Sequence, residues 1–391
     1  MSQELAYVII TPYSLFKSRT GGIIARLIAR TGLELAAARM FAPSPQLLKD
    51  YAQTIVTATE PRERFFQELI RDYILERMGP DPKTGKRRRV MMLLFRGEDA
   101  VRKVREVVGN IRPERLVGET IRDTYGDVIL DEHGGVRYFE PAVLAAPNSE
   151  DAMLRLKLWA RYSDTDGGVL EDVIPYGPGE VPERTLVLLK PDNFQFPSGR
   201  PGNMIDFFSK TGLYIVGIKV HRMSVAEAME FYEPVREVLR AKYTELMSQR
   251  APEIIERNLG FKIPPAERQK LGEILGPLAG HHQFENIVKF MSGRAPSECD
   301  PALFNAPGTE KCIALIYEGV DAVRKIREVL GPTDPSKAPP GSIRREFGQT
   351  IMVNAAHASD SVESAKREMR IVNVGENLFK RIVEETYGSL N

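Results

Sequence analysis

The chain has 391 residues, 42% of them apolar and 27% charged, a balance that excludes a long disordered or low-complexity protein. Lys plus Arg number 54 and Asp plus Glu 53, so the net charge of +1 argues against a whole-chain grip on nucleic acid. No apolar run reaches the ~20 residues of a membrane span, no basic stretch precedes the apolar part of MSQELAYVIITPYSLF, and only Cys299 and Cys312 carry thiols. These features predict no membrane partner and a reducing, cytoplasmic address.

At roughly 150 residues per domain, the length allows two or three domains. An internal repeat decides for two. Residues 99–109, DAVRKVREVVG, return at 321–331 as DAVRKIREVLG, with nine of eleven positions identical. The offset of 222 persists where IRDTYG (121–126) meets IRREFG (343–348). Upstream, YVIITPYSLF (7–16) matches LVLLKPDNFQF (186–196) at an offset of about 180, so the second copy holds about 42 extra residues between these anchors. The expected domains are 1–175 and 183–391, joined by IPYGPGEVPE (174–183), where Pro and Gly oppose both helix and strand.

In the second copy, an apolar strand is expected at 185–190, a helix near 202–211 and a β-branched strand at 213–222. Ser224, with Glu227 three residues on, starts a helix as a capping box. Helical patterning continues in APEIIERNLGF and PAERQKLGEIL, inside the larger insertion near 236–282, and a shorter insertion follows at 292–310. A strand fits 311–317, and the repeated helix ends at Gly331 before Pro332. A loop over 331–342, a last strand near 349–354 and a helix over 361–369 complete the copy. This alternation predicts an α+β fold, two ferredoxin-like (βαββαβ) domains in tandem.

Several stock motifs are absent. GPDPKTGKR (79–87) fails as a P-loop in glycine spacing and in its missing Ser or Thr, and no GxGxxG, GxSxG, HExxH or paired CxxC occurs. No dedicated metal-ligand set is expected. The basic run KTGKRRR (83–89) has no interleaved aromatic residues and reads as a solvated loop rather than a nucleic-acid patch. What remains is NAAHASDS (354–361). A nucleophilic imidazole needs a partner on one ring nitrogen and a carboxylate to steady it. Around His357 the sequence offers Asn354, Ser359, Asp360 and Glu368, and Lys190, Arg327 and Arg344 are cations able to clamp a polyphosphate.

Asn-x-x-His-Ala-Ser-Asp-Ser resembles the active-site signature of nucleoside diphosphate kinases. LLKPD (188–192), Tyr232, YEG with Arg327 (317–327), LGPTDPSKAPPGSIRREF (330–347) and SDSVESAKRE (359–368) resemble the successive motifs of that family in order. The resemblance implies nucleoside diphosphate kinase-type domains and a ping-pong transfer of the γ-phosphate between nucleoside triphosphates and diphosphates. It implies phosphorylation of His357, oriented by Ser359 and Glu368. Arg327, Thr333 and Arg344 would hold phosphates, Lys190 and Asn354 the ribose hydroxyl and phosphates, and Tyr232 the γ-phosphate region. Mg2+ would arrive on the nucleotide phosphates. A homo-oligomer built on an intrachain pseudo-dimer is the implied assembly. The base-stacking aromatic of the family falls at Gln283, beside Phe284. That departure keeps open an alternative, a nucleotide-binding scaffold or sensor with little turnover.

The first copy has lost the signature. Thr11 stands where Lys190 stands, Ile111 replaces Thr333, and AVLAAPNSED (142–151) carries no histidine, although Arg105, Arg122 and Tyr51 are kept. His133, in the turn-like DEHGG, lacks the flanking Asn and Ser-Asp. The first copy is therefore expected to be structural.

Overall fold

The structure is a computed structural model that describes residues 3–111, 118–133 and 135–390. It divides into two compact units, Met1–Val220 with Ile313–Asn391, and His221–Cys312.

The first copy runs β1 (Glu4–Ile10), α1 (Pro12–Phe16), α2 (Thr20–Thr31), β2 (Glu34–Phe41), α3 (Pro45–Gln53) and α4 (Pro61–Arg77). It continues with β3 (Val90–Gly97), α5 (Ala100–Val108), α6 (Ile121–Tyr125), β4 (Asp127–Leu130), β5 (Val136–Glu140), β6 (Val143–Ala145), α7 (Ser149–Tyr162) and β7 (Gly167–Gly168). The second copy runs β8 (Glu183–Leu189), α8 (Arg200–Ser209), β9 (Tyr214–His221), α9 (Val225–Leu259) and α10 (Pro265–Ser292). It ends with β10 (Cys312–Gly319), α11 (Ala322–Leu330), α12 (Ile343–Phe347), β11 (Ala356–Ala358), α13 (Val362–Val372) and α14 (Leu378–Tyr387).

The two larger sheets have matching orders apart from β7, β6-β1-β3-β2-β7 and β11-β8-β10-β9, and β4 pairs with β5 in a sheet of their own. β1 lies between β3 and β6, and β8 between β10 and β11, each pairing antiparallel with both neighbours. This is the expected ferredoxin-like plan. β1, β3, β8 and β10 are nearly continuous apolar runs because both of their faces are buried. The repeated helices α5 and α11 begin at Asp99 and Asp321, both at positive φ, and end on Gly109 and Gly331, at φ 81° and 83°. One expected element is displaced. Residues 349–354 form bends rather than a strand, and the last strand is β11 at 356–358. Arg344 lies on the short helix α12.

Within the first unit the copies pack through α2 and α8. A Cβ on Gly202 would lie 2.2 Å from the Gly21 carbonyl oxygen and 2.5 Å from Ala25 N, so only glycine permits this approach. Arg19, the N-cap of α2, makes no side-chain cap bond. Asp206 of α8 serves instead, accepting from the Gly21 and Gly22 N–H groups of the other copy. Burial raises its carboxyl to about 6 against the opposing effect of those two bonds. α14 docks on the first copy as well: the Phe379 and Phe41 rings meet at 5.9 Å, and Lys380 pairs with Asp164 at 2.7 Å.

The second unit is mainly the helical hairpin of α9 and α10. The capping box of Ser224 and Glu227 is present, and α9 then runs for 35 residues through Pro234 and Pro252. Gly272, Gly276 and Gly280 form a small-residue stripe where α10 meets Thr244, Ser248 and Arg240 of α9. Phe284 is 1% exposed, and the Arg236 guanidinium lies 4.3 Å from its ring centroid, so its face is already covered.

A candidate active site at the edge of the second sheet

β11 is an edge strand, and its register on β8 sets His357 opposite Leu188. Ala355, just before it, adopts φ 71°, a strained value for alanine. The turn is held because the Ala355 carbonyl accepts from Lys190 N at 3.0 Å and from Asn193 Nδ2 at 2.7 Å. Ser361 then caps α13 through the Ser364 N–H, and Glu368 sits on the buried face of that helix. Strand, turn and cap thus converge on one ring.

His357 Nε2 lies 2.9 Å from Glu368 Oε2, and Ser359 Oγ donates to the same oxygen at 2.6 Å. Glu368 is 4% exposed and Ser359 fully buried, whereas the His357 side chain keeps 24% of its exposure. A ring that donates through Nε2 to a fixed carboxylate carries its lone pair on Nδ1. This arrangement suits nucleophilic attack by Nδ1.

Lys190, immediately after β8, donates from Nζ to Asn354 Oδ1 at 2.7 Å and to the Met352 carbonyl at 3.2 Å. Burial, with the nearby Arg344 guanidinium, lowers its ammonium to about 8, and Asp192 opposes the shift. Asn354 donates in turn to the carbonyls of Thr333 and Ile351 at 3.2 and 2.9 Å. Arg344 bridges the Gly331 carbonyl at 2.9 Å and the Ala356 carbonyl at 3.2 Å, joining the loop after α11 to the edge strand. Arg327, on α11, is exposed and close enough to lower the Asp360 carboxyl, after the larger effect of the Ser364 hydrogen bond. The structure therefore brings Lys190, Thr333, Arg344, Asn354, Ser359 and Glu368 into one bonded frame around His357, with Arg327 at its side. Tyr232 belongs to the other unit, where it is buried and its ring lies 5.0 Å from that of Phe231.

A family model described as nucleoside diphosphate kinase matches residues 4–159 and 260–377, well over half of the chain. The chain belongs to the nucleoside diphosphate kinase family. The nucleoside diphosphate kinase of Staphylothermus marinus is 30% identical over 190 residues, covering 49% of this chain and 92% of that protein. That of Saccharolobus solfataricus is 29% identical over 191 residues, covering 49% and 94%. A solved NDP kinase structure from Pyrobaculum aerophilum has 29% identity, covers 49% of this chain and 95% of that one, and has a TM-score of 0.34. Each relative is thus nearly spanned by half of this chain, and the family model matches two regions, as a tandem of nucleoside diphosphate kinase-type domains requires.

The first copy shows what the same frame becomes without the signature. β6 sets Leu144 opposite Ile9 of β1, the register position that His357 holds on β8. Ala142, two residues earlier, has φ 60°, matching Ala355. Arg122 binds the Gly109 and Val143 carbonyls as Arg344 binds those of Gly331 and Ala356. At the positions equivalent to Ser359 and Glu368 stand Ala146 and Arg155, and Thr11 binds Glu140 and the Ala142 carbonyl. His133 is an exposed residue of the turn between β4 and β5, remote in register from Leu144, and its neighbour Gly134 lies outside the described residues. The basic run is engaged internally: Arg87 pairs with Asp166, Arg88 with Asp81, Lys86 with Asp172, and Arg89 donates to the Ile215 carbonyl.

Sequence reasoning missed the residues behind the frame. Asn193 is 2% exposed and also donates to the Lys190 carbonyl, while Arg200 reaches Asn193 Oδ1 at 3.2 Å and the Phe347 carbonyl at 2.8 Å. The pattern Lys-Pro-Asp-Asn was visible, but only the positive φ of Ala355 reveals what Asn193 holds.

Among the described residues no group of three or more His, Cys, Asp or Glu could hold a metal ion by itself. The site offers cations, Glu368 is taken up by His357 and Ser359, and Asp360 lies nearby, a donor set that fits a magnesium ion carried in on phosphate oxygens rather than one caged by protein. Among those residues, too, no helix is long and apolar enough to cross a membrane.

Proposed function

We propose that the second copy transfers the γ-phosphate of a nucleoside triphosphate to a nucleoside diphosphate through a phosphohistidine at His357. The observation that carries this reading is the Glu368 carboxylate bound by both His357 Nε2 and Ser359 Oγ. In the first half-reaction the Nδ1 lone pair attacks the γ-phosphorus, an N–P bond forms and the bond to the β–γ bridging oxygen breaks. The diphosphate leaves with those electrons. In the second, a terminal oxygen of another diphosphate attacks the same phosphorus and the N–P bond breaks. Glu368 stabilises the positive charge that develops on the ring, and Ser359 fixes the carboxylate.

Arg327, Thr333 and Arg344 hold the phosphates in this reading, and Lys190 and Asn354 reach the ribose hydroxyl and phosphates. Magnesium, bound chiefly by the phosphates, would neutralise charge on the transferring group. The working domain spans 183–391 and its partner 1–175, the two forming an intrachain pseudo-dimer through α2 and α8. Exposed Val238, Ile274 and Leu278 on the helical hairpin support further assembly into a homo-oligomer. The free thiols of Cys299 and Cys312 suit the reducing cytoplasm.

Incubation with γ-labelled ATP tests the mechanism. The chain should acquire an acid-labile, base-stable label that chases onto added diphosphate, and His357→Ala should lower turnover by at least about 10⁴-fold. Labelling that persists in His357→Ala refutes the assignment.

A further inference from the structure

The first copy contains a cavity of about 850 Å³, well inside the range of roughly 300–1,000 Å³ for small-molecule sites. Arg105 of α5, Arg122 of α6 and Arg155 of α7 line it, together with Phe66 and Ile70 of α4 and Leu144 of β6. Two of these guanidinium groups are incompletely bonded. Arg122 Nε and Arg155 Nε are buried without a hydrogen-bond partner among the described residues. Buried donors are rarely left so, because each costs the desolvation of an N–H group with nothing in return. Of the acids along the cavity, Glu106 pairs with Arg102, and Glu60 and one oxygen of Asp123 bond to the N-termini of α4 and α6, while Asp123 Oδ1 is buried without a partner among the described residues and Glu63 is exposed.

We propose that this cavity is a second binding site, which holds a nucleoside diphosphate and does not turn it over. Anionic oxygens satisfy the guanidinium donors in charge-assisted bonds, and Phe66 and Ile70 supply an apolar surface for a flat ring. The choice of a nucleoside diphosphate rests on the reading of the second copy, since Arg105 and Arg122 repeat Arg327 and Arg344 in sequence and, for Arg122, in bonding. Leu144 at the register of His357 presents no nucleophile, so the ligand is retained rather than consumed. The expected structural half of the chain thereby becomes a ligand-binding half.

Calorimetric titration of the full chain with ADP tests this assignment. The wild type should bind two ADP per chain, and a second-copy variant, Lys190→Thr with Arg327→Ala, should keep one. Arg105→Glu alters an exposed residue of the first copy; it should weaken one of the two sites about 10–100-fold and leave phosphoryl transfer unchanged. Phe66→Ala should weaken ADP at that site more than it weakens pyrophosphate. Loss of all ADP binding in the second-copy variant, or two undisturbed sites in Arg105→Glu, overturns the proposal and leaves the kinase reading intact. A single wild-type site abolished by Arg105→Glu would support this cavity and overturn the second-copy reading instead.

Discussion

The edge strands β6 and β11 are built alike and equipped differently. Each follows an alanine at positive φ, each is tied to the loop behind it by one arginine, and each pairs with the first strand of its copy in the same register. Yet one carries histidine, with serine and glutamate behind it, where the other has leucine, alanine and arginine. What both copies retain in these contacts therefore serves the fold, and what only the second retains is, in the proposed mechanism, what serves the reaction. By this test the strained alanine and the carbonyl bonds of Arg344 are architecture. In the proposed mechanism the Glu368 pairings and Lys190 carry the chemistry.

Copying first-copy residues into the second puts that division at risk. Lys190→Thr installs what Thr11 shows the frame tolerates, so the variant should fold normally and lose about 10²–10³-fold in kcat/KM; a loss of thermal stability as large as the loss of activity would make Lys190 a fold residue instead. Its titration sharpens the point. Because burial lowers the ammonium to about 8, the cation is present below that pH, and kcat/KM should fall as pH rises through about 8. A rate profile flat from 7 to about 9 would remove Lys190 from the phosphate clamp.

The contact that both copies share should respond in stability rather than rate. Gly202→Ala puts a methyl group 2.2 Å from the Gly21 carbonyl oxygen and should cost about 1–3 kcal/mol by forcing α2 and α8 apart. Thermal denaturation reads it, and an unchanged midpoint would mean the helices do not meet there. Asp206→Asn has the smallest effect. The folded carboxyl titrates near 6, above its ordinary 3.8, so its contribution is fully present below about pH 4 and lost as pH rises through about 6. Asparagine does not ionise, so at pH 7 the variant should exceed wild type by about 1 kcal/mol, with the advantage vanishing near pH 4. Equal midpoints at both values would contradict the burial of Asp206.

Much of this was legible in the chain. The repeat, the sheet plan and the cluster around His357 follow from residue identity and spacing, because apolar runs, caps and a signature with polar neighbours are local. The last strand was misplaced by several residues because QTIMVN is more β-prone than AHA, and pairing with β8 overrides propensity. Asn193, Arg200 and the cap that Asp206 places on α2 were not legible. Their partners are distant in sequence, and an asparagine or aspartate near a helix end carries no mark of which carbonyl or N–H it will meet. The cavity of the first copy was hidden for another reason. The missing histidine drew attention to what was lost, while the unsatisfied nitrogens of Arg122 and Arg155 exist only in three dimensions.

The glycine crossing of α2 and α8 has an evolutionary consequence. Ile205 of α8, 3% exposed, lies beside Leu15, Phe16 and Thr20 of the first copy. Cutting at the 174–183 linker and discarding the amino-terminal half would bare this side of α8, leaving a fragment with an adhesive strip and an uncapped route to self-association. The second copy therefore cannot shed the first by a single deletion without exposing that strip.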